Sequence, residues 1–190
     1  MAIELITGIL TKTALGRAID DMGKIVSSVL SSGEREVSVT FYNQTQFEVI
    51  YSGSSYFDSG RFDTPPTNVQ PFSTMTFSGC SKDDSILTGV SGGACFQLQL
   101  MGTDNSTQEL DVAIGFTNPE IGSNKASASF GSDPRAAYNG VTDSSTQAKS
   151  GLFLGTDTNG NATTIQFMLA SAPGTTVSIT LTQMIVSGGS

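Results

Sequence analysis

Few residues in this 190-residue chain could do covalent chemistry. There is no histidine, which removes the commonest general base and the commonest transition-metal ligand. A serine nucleophile would then need a lysine or a carboxylate as its base, and no Gly-x-Ser-x-Gly elbow is present. Asp83 and Asp84 are adjacent and would point to opposite faces of a strand, so they read as a solvated loop. "DTNGN" (157–161) hints at a Ca²⁺ loop but lacks the EF-hand spacing and the closing Glu; a hairpin turn at Asn159-Gly160 accounts for it better. "GVSGG" (89–93) is not followed by the Gly-Lys-Ser/Thr of a phosphate loop. Cys80 and Cys95 are fifteen residues apart and cannot hold a zinc ion alone; they are either bonded to each other or two buried thiols. The expectation is a protein with no catalytic residue, no metal and no cofactor, and not an enzyme.

Binding chemistry remains. "YFDSGRFDTPP" (56–66) sets three aromatics among two Asp, an Arg, a Gly and two Pro in a chain without Trp. Turn formers at that density predict a loop or loop edge, with Tyr56 and Phe57 beside it. The charge balance narrows what such an edge would meet. Nine Lys and Arg against seventeen Asp and Glu leave a net charge of −8, with no basic cluster. Such a surface repels nucleic acid and anionic lipid. The sequons "NQT", "NST" and "NAT" would matter only in a eukaryotic secretory pathway, and in a Thr-rich chain they read as chance.

The elements that would position these residues fall into two parts. Residues 14–31, "ALGRAIDDMGKIVSSVLS", place Leu15, Ala18, Ile19, Met22, Ile25, Val26, Val29 and Leu30 in one sector of a helix. Arg17, Asp20, Asp21, Lys24 and Ser28 take the opposite side, and Gly33 marks the stop. Before the helix, Ile3, Leu5, Ile6, Ile9 and Leu10 form an apolar lead that does not continue its stripe. This lead is either a strap packed on the domain or a segment that waits for lipid. No stretch reaches the apolar length of a membrane-spanning helix, and "MAIELITGILTKTALG" lacks the positive start of a signal peptide. From Arg35 the apolar period changes to two, in "EVSVTFY", "QFEVIY", "STMTFSG", "CFQLQLM", "LDVAIGF", "TTIQFMLA" and "TVSITLTQMIV". Turn clusters separate these runs, so the fold class is mainly β. The expected architecture is a compact β-sandwich (residues 34–190) preceded by the lead segment and amphipathic helix (residues 1–33).

This order of parts resembles the actinoporin-like family of α-pore-forming cytolysins, in which an N-terminal amphipathic helix precedes a β-sandwich. "YFDSG" (56–60) is similar to the family's Tyr-Phe-x-Ser-Gly segment, and "SKDDSILTGVSGGACFQL" (81–98) to its stretch from Lys-Asp through Thr-Gly into a strand. The resemblance implies a headgroup edge of Tyr56, Phe57, Ser59, Ile86 and Tyr138. On residue type alone, Phe57 could equally cap the core and Tyr56 fill a loop. The segment that matches the family's aromatic membrane loop, "TNPEIGSNK" (117–125), has no aromatic residue, which argues against sphingomyelin as the lipid.

The resemblance further implies a soluble, secreted monomer, stored inside the cell if no leader exists, that meets a target-cell membrane and forms a homo-oligomer. Its first thirty or so residues would insert as a helix of about 45 Å, with Ile3, Leu5, Ile6, Ile9 and Leu10 leading. Arg17, Asp20, Asp21 and Lys24 would face the lumen. The alternative is a lectin-like sandwich whose Asn-, Asp- and Gly-rich loops bind carbohydrate.

Overall fold

The structure, a computed structural model, describes residues 2–4, 35–81, 89–101, 107–156 and 161–186. The proposed inserting positions Leu5, Ile6, Ile9, Leu10, Arg17, Asp20, Asp21 and Lys24 lie outside the described residues, as does Ile86. The strands are β1 (Ala2–Glu4), β2 (Glu36–Gln44), β3 (Val49–Ser59), β4 (Arg61–Thr64), β5 (Thr74–Cys80), β6 (Val90–Met101), β7 (Thr107–Asn118), β8 (Lys125–Phe130), β9 (Thr146–Thr156), β10 (Ala162–Ala172) and β11 (Val177–Val186). One short helix, α1 (Pro134–Asn139), lies between β8 and β9.

Two sheets make a sandwich. One has seven strands in the order β1-β9-β10-β11-β2-β5-β4, and the other has four in the order β3-β6-β7-β8. The period of two read from the sequence is the reason they face each other. Val37, Val39 and Phe41 of β2, Ile165, Phe167 and Leu169 of β10, and Val177, Ile179 and Leu181 of β11 are buried on one side. Phe96, Leu98 and Leu100 of β6 and Val112, Ile114 and Phe116 of β7 are buried on the other. Rings tie the layers together: Phe41 meets Phe96 at 5.2 Å between centroids, and Phe77 meets Phe116 at 5.6 Å edge-on.

Residues 56–66 do not form the expected loop. Tyr56 and Phe57 are strand residues of β3, and β4 begins at Arg61 directly after Gly60. Gly60 makes the turn alone, at φ +87° and so close to the Cys80 carbonyl that a Cβ would sit 2.4 Å from that oxygen. Phe57 faces inward and packs with Phe62 and Phe116, at 4.7 and 5.9 Å between ring centroids. It caps the core and does not stand on the headgroup edge.

The cysteines are not bonded to each other. Both are buried thiols, Cys80 on β5 of the large sheet and Cys95 on β6 of the small one. Cys95 points away from the main core and packs with Ala113 and Ala137. Burial pushes its thiol up to about 11, and the charges of Asp111 and Asp133 add to the effect. A folded-state pKa raised in this way favours the protonated thiol, a contribution lost only as pH climbs through that value. Thiol titration at pH 8 is therefore expected to find no reactive cysteine in the native protein and two after unfolding without reductant. A fast-reacting thiol in the native state would show that one of these sites is open.

Candidate functional site

The site is built on the outer face of the four-stranded sheet, and two glycines make room for it. Gly93 of β6 and Gly115 of β7 stand opposite each other in the ladder. A Cβ on Gly93 would lie 2.1 Å from the Pro134 carbonyl oxygen, and one on Gly115 would lie 2.4 Å from that of Ala137. The backbone of α1 therefore lies directly on the sheet, a closeness that only Gly permits. The helix starts where its sequence says it should. Asp133 is the N-cap, its Oδ1 accepting from the amides of Arg135 (2.9 Å) and Ala136 (3.1 Å), and Pro134 opens the first turn. Ser127 of β8 donates its hydroxyl to the Ala137 carbonyl and fastens the other end.

Beside the seated helix, three side chains form one row across three strands. Ser91 of β6 pairs with Thr117 of β7, and Thr117 pairs with Lys125 of β8. The Ser91 and Thr117 hydroxyls are 2.7 Å apart. Tyr138 and Asn139 reach the row from α1, and Pro119 and Val141 close the sides of a pocket of about 380 Å³. Ser59 stands at the register position next to Ser91, where its hydroxyl donates to the Gly89 carbonyl at 2.8 Å. It extends the row to the fourth strand but spends its proton on the backbone.

An aromatic pair borders the pocket. The Tyr56 and Tyr138 rings are 5.7 Å apart, tilted by 39°. Both phenols donate to Asp58, Tyr56 to Oδ1 and Tyr138 to Oδ2, each at 3.2 Å. The Arg135 guanidinium lies 5.3 Å from the Tyr56 ring centroid, a cation–π contact. Burial first, and then the Asp58 charge and hydrogen bond, raise the Tyr138 phenol above its ordinary range, while its hydrogen bond with Ser91 opposes them. Tyr138 is thus a neutral donor at physiological pH.

Of the residues expected at a headgroup edge, Tyr56, Ser59 and Tyr138 come together here, from elements eighty positions apart in the case of the Tyr138–Asp58 bond. Ser91, Thr117, Lys125 and Asn139 were not foreseen. Their only signal is register, which places them in a row through strand pairings that no local motif encodes. The lining offers one ammonium group, an amide and the Ser91–Thr117 hydroxyl pair to an anionic group, while the Tyr138 phenol gives its proton to Asp58 and its ring, with that of Tyr56, offers aromatic faces to a cation. Among the described residues no cluster of His, Cys, Asp or Glu could hold a metal ion.

No family model matches the chain, and neither does any curated protein sequence. Among solved structures, the lipid-binding protein Nakanori is similar, with a TM-score of 0.53 and 14% sequence identity over 93% of this chain and 89% of that one. At that identity the likeness is one of fold.

Proposed function

We propose that the protein binds membranes by taking a zwitterionic phospholipid headgroup into the pocket between α1 and the Ser91–Thr117–Lys125 row. The observation that carries this reading is the pairing of two kinds of chemistry in one pocket. Lys125, the Asn139 amide and the Ser91–Thr117 hydroxyl pair suit a phosphate, and the Tyr56–Tyr138 faces beside Asp58 suit a quaternary ammonium. The fold shared with the lipid-binding protein Nakanori supports it. No catalytic step belongs to this reading.

The finer proposal is a secreted pore-forming protein. After docking on a target-cell membrane it oligomerises, and the segment before Gly33 inserts as a helix. The sequence features that support this are the apolar lead and the polar stripe from Arg17 to Lys24.

Vesicle sedimentation against phosphatidylcholine, sphingomyelin and phosphatidylserine tests the first step, with a glycan-binding screen in parallel. Binding is expected to be weakest to phosphatidylserine, because the chain carries −8. Lys125→Ala is expected to weaken binding to phosphatidylcholine about tenfold through loss of a charge-assisted contact. Tight, salt-sensitive binding to phosphatidylserine would overturn the charge argument. Glycan binding without vesicle binding would favour the lectin-like alternative.

A further inference from the structure

Phe72 stands where a glycine belongs. It takes the third position of the turn Gln70-Pro71-Phe72-Ser73 between β4 and β5, at φ +53°. Among the described residues no other non-glycine has a positive φ. A bulky aromatic is strained in this conformation, whereas Gly or Asn is not. The side chain is 46% exposed, so core packing does not offset that strain.

The turn is fixed from below. Asn43, a buried residue at the end of β2, donates its side-chain amide to the carbonyls of Val69 (3.2 Å) and Gln70 (3.0 Å). The Phe72 amide donates to the Thr45 carbonyl at 3.1 Å, and the Ser73 hydroxyl donates to the Gln70 carbonyl at 2.7 Å. The backbone is thus pinned on both sides of Phe72, and the ring is displayed on a rigid support.

Planar polar groups stand in and beside the same turn. Glu48 Oε1 accepts from Gln70 Nε2 at 2.8 Å and from Asn68 Nδ2 at 3.1 Å. Asn68 Oδ1 accepts in turn from the Tyr51 amide at 3.1 Å. Both side-chain amides are therefore oriented, while Glu48 Oε2 and Gln70 Oε1 take no bond among the described residues. An exposed ring beside oriented amides and a carboxylate is the chemistry that holds a sugar. The ring covers the C–H face of a pyranose, and the polar groups take its hydroxyls. The Glu48 carboxylate suits a neutral sugar over an acidic one.

This cluster lies at the end of the sandwich away from the headgroup pocket. Val69 bridges to Val49 at the start of β3, whereas Ser59 at the end of β3 pairs with Ser91 of the pocket row. The strand between them spans about 30 Å.

We propose that Phe72, Glu48, Asn68 and Gln70 form a second binding site, for a neutral glycan, that works independently of the headgroup pocket.

The test uses the full chain against an array of neutral and sialylated oligosaccharides, with phosphatidylcholine vesicles as the second probe. Neutral glycans are expected to bind, and sialylated ones to be rejected by Glu48 and the net charge of −8. Phe72→Gly is expected to lower glycan affinity about tenfold, with an unfolding temperature no lower than the parent's because the strain is gone. Phe72→Leu keeps apolar bulk without a ring face and is expected to lose as much, whereas Phe72→Tyr is expected to bind like the parent. Glu48→Gln is expected to cost about tenfold through loss of a charge-assisted contact. Lys125→Ala is expected to leave glycan binding unchanged. Lactosylceramide added to the vesicles is expected to add nothing, since a short lipid-borne glycan cannot reach a site about 30 Å from the docked end. Capture of no neutral glycan by the parent, or parental capture by Phe72→Gly, would overturn the site. A Phe72→Gly protein that melts well below the parent would make the ring a packing residue, and one that loses vesicle affinity would make it a bilayer contact; either overturns the proposal. Glycan capture that persists when the parent binds no vesicle would overturn the headgroup reading and leave this site standing.

Discussion

Gly115→Val is expected to abolish specific membrane binding while the sandwich still folds. A Cβ at this position would sit 2.4 Å from the Ala137 carbonyl oxygen and 2.6 Å from both its carbonyl carbon and the Ser127 Oγ. Two of these are backbone atoms of α1, which no rotamer change can move aside. The helix must therefore lift from the sheet. Overpacking of this kind costs about 1–3 kcal/mol, which a domain of this size survives. Binding suffers more, because Tyr138 and Asn139 leave the pocket with the helix and the Tyr56 ring loses its partner. Losing several polar contacts and an aromatic face together is expected to lower vesicle affinity on the order of 100-fold. Gly93→Val should behave the same way, its Cβ meeting the Pro134 carbonyl. Gly140→Ala is the control, since its Cβ would find the Ala137 oxygen at an ordinary 3.5 Å. Thermal unfolding and vesicle sedimentation of the three variants decide the matter. Parental binding by Gly115→Val would mean that the pocket under α1 is not the membrane site.

The β-sandwich was legible because strands packed on one face write their burial into every second residue. "EVSVTFY", "CFQLQLM" and "LDVAIGF" became β2, β6 and β7 with the predicted residues inside. Four strands escaped, the short β1 and β4 and the longer β8 and β9, the last two for physical reasons. In β8 the inward residues are the small Ala126 and Ala128, which leave no apolar alternation to see. In β9 Leu152 and Leu154 lie 64% and 67% exposed, so its larger aliphatic residues point the wrong way for a core pattern. The helix α1 was hidden inside "GSDPRAAYNG", which reads only as a turn. Its N-cap Asp and following Pro were visible there, but six residues are too few to show a helical period. The same brevity hid the pocket. Tyr138 could be named from a resemblance, but Lys125, Ser91 and Thr117 meet it only through strand register and the paired glycines. The turn residues of "YFDSGRFDTPP" misled in the other direction, because a single Gly60 suffices to turn one strand into the next.

Ile6→Asp and Ile9→Asp are expected to suppress pore formation while leaving membrane binding in place. The pocket and its glycine seat belong to residues beyond 55, so the docking proposed above does not draw on the N-terminal segment. Release of that segment would have to undo β1, whose ladder among the described residues is the parallel pairing of Ala2, Ile3 and Glu4 with Leu154, Gly155 and Thr156. Three paired residues at a sheet edge are a small barrier beside the gain from placing a run of Ile and Leu in lipid. Ile3 thus holds a strand position here, which does not conflict with a later place in the proposed inserted helix. An Asp near the bilayer centre costs insertion about 2.5–3.5 kcal/mol, or on the order of 100-fold in the inserted population for each substitution. Dye release from phosphatidylcholine vesicles should fall by that order, while sedimentation with the same vesicles and thermal unfolding stay close to parental. The paired measurements separate the readings sharply. Release undiminished by either Asp would show that another part of the chain perforates the membrane. Binding lost along with release would place the first ten residues in the docking step itself. A parent that docks but releases no dye from any vesicle would leave the headgroup pocket as the whole of the function, and the amphipathic segment as packing.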